Sequence, residues 1–542
     1  LAVQAAAPLG TLDDPLAELT FALFSAAEFP DDALKVALRV LESPASSFSN
    51  KLIATRVVQL ALGDLTDPKE IGTVAEGYSF RKPVSSATAV RIAKMIRPLT
   101  YSFTEQFEKR KSTLELDREL ARISGGIASA AGKDDAELYY IAAWMSRNLN
   151  KDSTVESDIH YLAALGRLHP FTLRDAEAPM AYALLEADKK LLKQRVVPDN
   201  NWPRRFEELC AALIPRHNYL TSNLARSPNS IGRPAHLPII KYLKLTDPEK
   251  ALLVWNAAQG EDYPWTAGVI QAIAFLPNDT LRPKLLKLWE RGGLEDAILP
   301  ILAKEPQEED AAKFMVGLRS MNPEVVKLSA AALNKLPPRE DKADLVAAIL
   351  ALRRLPDDKT TVNSRSAILS LLKDRSGQSL TDAKAWSEWF ATKYPGLAAK
   401  LNASDGFDPV AWKKREAAIP WAEGDPIKGR TAFTKATCAA CHDGGGAVGP
   451  SLSGVAKRFS RDDLLTAILQ PSKDVSPRYR PTRLATTDGK AYLGMIVYEA
   501  VSGVMLQTGP DAVVRIAGDQ IESQKPLDTS LMPASLLDKL ND

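Results

Sequence analysis

Cys438-Ala439-Ala440-Cys441-His442 is the stretch of this chain whose residue types and spacing carry recognisable chemistry. C-x-x-C-H is the spacing of c-type haem attachment. Two thiols three positions apart on one turn can form thioethers to the two vinyl groups along one porphyrin edge. The adjacent imidazole then reaches the iron from the proximal side. A structural zinc site wants four Cys or His ligands, usually with a second pair, and the chain holds only three cysteines. A thioredoxin-like redox pair wants a βαβ setting, which the flanks do not offer. The remaining cysteine, Cys210, lies in the amphipathic run Arg205 to Leu213 and reads as a buried, inert thiol. His160, His169, His217 and His236 share no ligand spacing and read as core or helix-surface residues.

Such a motif needs elements to position it. Gly424-Asp425-Pro426 leads a short helix over Ile427 to Lys435. After the motif come the loop Gly444-Gly445-Gly446 and then Gly449-Pro450-Ser451-Leu452. A backbone carbonyl of this loop is expected to hold the proximal imidazole through its Nδ1–H, which makes Gly449 and Pro450 part of the cofactor site. From Thr482 to Ile521 the chain alternates and turns as antiparallel strands do, with Asp488-Gly489 as a two-residue hairpin signal.

Upstream, residues 1 to about 400 read as helix after helix. Thr246-Asp247-Pro248-Glu249 has the form of a capping box. Asn322-Pro323 opens a helix whose face is Val325, Val326, Ser329, Ala332, Leu333 and Leu336, and Pro337-Pro338 stops it. Leu345, Ala348, Ile349, Leu352 and Leu355 repeat the pattern, and Ile368, Leu369, Leu371 and Leu372 follow. Helix pairs recurring about every thirty to forty residues match the range of αα-solenoid repeats, which bury their apolar stripes by stacking. The charged run from Glu108 to Arg122 reads as a solvated helix face.

From Gly424 to Leu540 the chain resembles the haem-binding C-x-x-C-H domain of the large PVC-type (planctomycete and verrucomicrobial) proteins. The resemblance rests on Gly424-Asp425, Gly429-Arg430, Phe433, the motif itself, Val448-Gly449-Pro450-Ser451-Leu452 and Lys457-Arg458-Phe459-Ser460. It continues through Leu464-Leu465, Ile468-Leu469, Pro471-Ser472, Asp488-Gly489-Lys490, Gly494, Ile521-Glu522-Ser523 and Ser530-Leu531-Met532-Pro533 with Leu536. It implies one covalent haem c on a small cytochrome c-like domain that commonly follows HEAT-like repeats. It also implies a partner that supplies electrons, such as a sugar or alcohol dehydrogenase, since no propeller-like stretch is present in this chain.

The expected fold is mainly α. Residues 1–230 form an irregular helical region, 231–400 HEAT-like repeats and 401–423 a linker. Residues 424–542 form the haem domain, with a β-insertion over 477–525. Three methionines follow the motif. Met495 and Met505 sit within alternating strands and read as packing. Met532 lies in the loop Thr529 to Pro533, where Pro533 restricts it to extended backbone. Met532 is therefore expected as the sixth ligand of the iron, opposite His442, because a low-spin electron-carrying haem needs a second strong axial ligand. The family usually has another helix after this segment; here the chain stops at Asn541-Asp542.

The formal net charge is +2, from 69 basic and 67 acidic side chains, which gives no electrostatic case for nucleic acid or an anionic membrane. No eighteen-residue apolar run is present, so no transmembrane segment is expected. The chain begins at Leu1 rather than Met, and any secretory leader is expected to have been removed. Attachment through C-x-x-C-H takes place outside the cytoplasm, so a periplasmic or otherwise extracytoplasmic setting is expected.

Electron transfer from a donor dehydrogenase to a downstream acceptor is the leading expectation, with protein partners on the helical repeats and no catalysis by the chain itself. Two alternatives stand beside it. One is a peroxidase-like haem enzyme with an open distal site. The other is an α-solenoid assembly protein with an accessory haem.

Overall fold

A computed structural model describes residues 15–102, 114–131, 136–169, 176–196, 202–226, 231–291, 293–320, 322–401, 409–436, 438–442, 448–500, 503–509, 512–532 and 536–540. The chain is mainly helical, with a small five-stranded antiparallel sheet near its C-terminus. It divides into two compact units, Leu1–Tyr263 and Pro264–Asp542. No helix among the described residues is long and apolar enough to cross a membrane.

In the first unit, helices lay apolar stripes against one another, as in Leu114–Ala131, where Leu116, Leu120, Ile123 and Ile127 are buried. Two of its buried imidazoles, His160 and His236, are held in one neutral form by hydrogen bonds to both ring nitrogens. His236 Nε2 donates to the Leu185 carbonyl at 2.9 Å, and its Nδ1 accepts from the Gly232 N–H at 3.2 Å. His160 Nε2 donates to the Arg118 carbonyl at 3.1 Å, and its Nδ1 faces the Tyr78 hydroxyl at 2.7 Å. A second proton on His236 Nδ1 would point at another donor. Burial pushes His160, His217 and His236 each from 6.5 down to about 4.

A base whose folded-state pKa is depressed contributes stability that is present above its unfolded value and is lost as pH falls through the interval. Here that interval runs from 6.5 to about 4 for each histidine, at about 1.4 kcal/mol per pH unit. Glu177 works in the opposite sense. Its carboxyl, 3.8 Å from His217 Nδ1, is pushed up by burial from 4.5 to about 7, so acidification favours its folded form and offsets one of the three histidines. The melting temperature of the full chain is therefore expected to fall between about pH 6.5 and pH 4.5. The slope should be shallower in His160→Gln and His236→Gln, whose amides keep one donor and one acceptor. Equal slopes in wild type and variants would show that these imidazoles titrate freely.

The second unit opens with helices that end on arginines. The Leu318 carbonyl, past the helix Ala311–Gly317, accepts from Arg354 at 2.5 Å. The Leu355 carbonyl, past Ala343–Arg354, accepts from Arg365 at 2.8 Å. The Leu336 carbonyl, past Pro323–Lys335, accepts from Arg375 at 2.6 Å. Each guanidinium satisfies carbonyls that a helix C-terminus leaves unpaired and meets the negative end of its dipole. The expected caps are present: Glu249 accepts from the Thr246 N–H at 2.8 Å, and Asn322 accepts from the Glu324 N–H at 3.0 Å. The linker residues 402–408 lie outside the described residues, while Pro409–Ala418 is a helix.

The sheet consists of β1 (Thr482–Thr486), β2 (Ala491–Ala500), β3 (Gly503–Gly509), β4 (Ala512–Ala517) and β5 (Ile521–Pro526), in the order β4-β3-β2-β1-β5. Every pairing is antiparallel. The β1–β2 hairpin turns at Asp488-Gly489, where Gly489 has φ +78°, a value that favours glycine. Leu484, Val504 and Ile516 form the sheet's small core, with Tyr492, Ile496, Val514 and Ile521 against it. The sheet meets the helical part of its own unit. Lys359 pairs with Glu522 at 2.7 Å, and Asn363 Nδ2 donates to the Gly489 carbonyl at 2.9 Å. Its entrance and exit lie side by side, since the Leu527 N–H donates to the Pro481 carbonyl at 2.8 Å and Arg480 pairs with Asp528 at 2.8 Å.

Candidate functional site

The short helix Ala439–His442 carries the motif. It follows the helix Pro426–Lys435, started by Asp425, whose side chain accepts from the Ile427 N–H at 2.8 Å and the Lys428 N–H at 3.1 Å. The two helices pack together. Between them the chain tightens: the Cys438 N–H donates to the Phe433 carbonyl at 3.0 Å, and the His442 N–H donates to the Cys438 carbonyl at 3.0 Å. Cys438, Cys441 and His442 thereby stand on one turn, all half-buried.

His442 is oriented by the loop after the motif. Its Nδ1 lies 2.8 Å from the Pro450 carbonyl oxygen. A carbonyl can only accept, so Nδ1 carries the proton and Nε2 keeps its lone pair for a metal. Gly449 makes room for this arrangement. A Cβ there would stand 2.9 Å from the Cys441 carbonyl oxygen and 3.1 Å from His442 Nδ1 and Cε1. A side chain at 449 thus pushes the imidazole off the carbonyl that holds it. The glycine run Gly444–Gly446 lies outside the described residues.

The thiols are unpaired, and burial raises the pKa of both, with the neighbouring Cys438 adding to the effect at Cys441. A redox-active C-x-x-C pair is activated by a lowered thiol pKa, which is the reverse of this environment. Zinc chemistry wants convergent donors, and among the described residues no three Cys, His, Asp or Glu side chains converge to hold a metal ion.

The surrounding surface suits a broad apolar group. Between 424 and 480, only Ala436, Gly449 and Val475 are buried among the described residues. Phe433, Val448, Leu452, Leu464, Leu465 and Ile468 are half-buried, and Ile427 and Phe459 are 79% and 54% exposed. This segment does not close a core from its own side chains. Apolar surface of that extent is stabilised by contact with a large apolar partner, and a porphyrin would be such a partner. The donor set, the prearranged Nδ1–H and the apolar surroundings all fit a haem.

The remaining methionines separate cleanly. Met495 and Met505 are 6% and 8% exposed within β2 and β3. Met532 is half-buried in the loop after β5, where its N–H donates to Ser530 Oγ at 3.1 Å. Pro533 lies outside the described residues. The motif thus comes from the helices before the sheet and Met532 from the loop after it.

Ser472 and Ser530 stand within the segments Pro471-Ser472 and Ser530-Leu531-Met532-Pro533, whose spacing assigns neither a task. Their hydroxyls are hydrogen-bonded to this loop, and only their serine identity could have hinted at it. Cys210 is fully buried, and burial raises its thiol pKa, which suits an inert core residue.

Comparison with models of known protein families finds no match, and comparison with curated proteins finds none either.

Proposed function

We propose that this chain carries electrons by a single covalently bound haem c. In this reading residues 424–540 are a cytochrome c-like domain of the PVC-type C-x-x-C-H kind, and the helices upstream are HEAT-like repeats that dock protein partners. The observation that carries the reading is the His442–Pro450 hydrogen bond of 2.8 Å beside the two thiols. It leaves the Nε2 lone pair of His442 available to hold a metal.

Cys438 and Cys441 would hold the porphyrin through thioethers. His442 Nε2 and the Met532 thioether would hold the iron. Bound haem supplies a one-electron couple. The protein fixes the imidazole with the Pro450 carbonyl and leaves room for it at Gly449. The half-buried apolar side chains Phe433, Leu464, Leu465 and Ile468 would offer apolar contact to the porphyrin and keep water from it. The donor would be a dehydrogenase and the acceptor a second redox protein, in the periplasm or an equivalent space.

Optical spectra of the purified holoprotein, oxidised and dithionite-reduced, test this. A low-spin c-type spectrum that cycles reversibly, with little peroxide turnover by the ferric form, is the expected result. A high-spin ferric spectrum with rapid peroxide turnover would favour a peroxidase. An absence of any haem spectrum from protein made in a host competent for c-type attachment would overturn the reading.

A further inference from the structure

Two short motifs on opposite sides of the sheet meet. Pro471-Ser472 follows the helix Arg461–Leu469, ahead of β1, and Ser530-Leu531-Met532 follows β5. The Ser530 N–H donates to Ser472 Oγ at 3.1 Å, across 58 positions of sequence. The Met532 N–H in turn donates to Ser530 Oγ at 3.1 Å. Two hydroxyls in series therefore tie the backbone of the methionine to the end of a helix of the haem-binding segment. The last described turn, Leu536–Lys539, packs on that same helix. The methionine loop is anchored at its base by the Leu527–Pro481 hydrogen bond and the Arg480–Asp528 ion pair. The stretch between these two anchors holds Met532.

We infer that Ser472 and Ser530 form a latch that positions Met532 and sets how often the sixth ligand site opens to a small exogenous ligand. The latch rests on the reading of Met532 as an axial ligand. Both serines are positioning residues: they act on the methionine's backbone and touch no reacting atom. Loop opening breaks the two hydrogen bonds, so their loss raises the open population. For hydrogen bonds of this kind, one exposed and one part-buried, the open population rises roughly two- to tenfold per bond removed. An entering ligand must wait for that opening, so its binding rate follows the open fraction.

The test is imidazole binding to the ferric holoprotein by stopped flow, in wild type, Ser472→Ala, Ser530→Ala, the double variant and Ser472→Thr. Each alanine variant is expected to bind imidazole roughly two- to tenfold faster. The double variant should exceed the faster single by no more than about twofold, because the two bonds act in series. Ser472→Thr keeps the hydroxyl and should return to within about twofold of wild type. Hydrogen exchange gives a second readout: the Ser530 and Met532 amides should lose protection in Ser472→Ala while the sheet keeps its own. Wild-type binding rates and unchanged protection in the alanine variants would overturn the latch. A wild-type ferric protein without a sulfur-to-iron charge-transfer band would overturn the axial reading of Met532 and the latch with it. These two failures are told apart by the wild-type spectrum alone.

Discussion

Replacing Cys438 and Cys441 together by alanine is expected to abolish haem staining of the denatured chain. Wild-type protein should keep its colour through boiling, denaturing electrophoresis and acid acetone, because thioethers survive all three. The single variants should each keep one bond and stain more weakly. Loss in the double variant is all or none, since the third cysteine, Cys210, is fully buried in the other unit. Apolar contact alone is expected to leave some extractable haem in the double variant. Undiminished staining in that variant, or extraction of haem from the wild type, would refute attachment at this motif.

The second large effect is expected at Met532, the proposed second ligand of the iron. Met532→Ala should lower the reduction potential by at least on the order of 0.1 V, within the roughly 0.8 V that axial ligation spans. It should also remove the weak near-infrared charge-transfer band of the ferric protein. Thioether sulfur favours ferrous iron, so replacement by water or a stronger donor stabilises the ferric state. Met495→Leu and Met505→Leu should leave the band in place, because those side chains are buried in β2 and β3. Potentiometric titration of the four proteins decides the matter. A band that survives Met532→Ala assigns the ligand elsewhere.

Much of the helical part was legible because its signals are local. The stripe Val325, Val326, Ser329, Ala332 and Leu333 is buried as its spacing predicts, and the Thr246 and Asn322 caps form where their side chains allow. Asp488-Gly489 marked its hairpin for the same reason. Strand β5 was harder to see. Ile521-Glu-Ser-Gln-Lys-Pro526 is a polar edge strand with mostly exposed side chains, and edge strands lack the apolar alternation that marks buried ones. Its pairing with β1 joins residues about forty positions apart, which no local pattern announces.

The site divides in the same way. Spacing in the sequence brought Cys438, Cys441 and His442 together, and the loop after them pointed to a carbonyl partner for the imidazole. It did not reveal that Gly449 leaves no room for a Cβ beside the His442 ring. Nor could it pair Ser472 with Ser530, because that contact forms only after the sheet has folded between them. The charged helix after Leu114 also differed from a plain solvated face. Arg118, Glu119 and Arg122 line a cavity of about 500 Å³ with Arg56 and Gln59.

The closed neck of the sheet changes how the chain's own length counts. His442 and Met532 are ninety positions apart. Yet the Leu527–Pro481 hydrogen bond short-circuits the strands between them. As a polymer, the tether joining the two is only about half its written length once the hairpins have formed. Doubling a flexible loop adds about 0.6 kcal/mol of closure entropy, so the strands burden ligation little whether they are long, short or elaborated. The pairing of Arg480 with Asp528 is thus a splice junction. The length of the strands beyond that junction is thereby uncoupled from the separation of the segments on either side of it, while Lys359–Glu522 and Asn363–Gly489 tie the sheet itself to the helices of its unit.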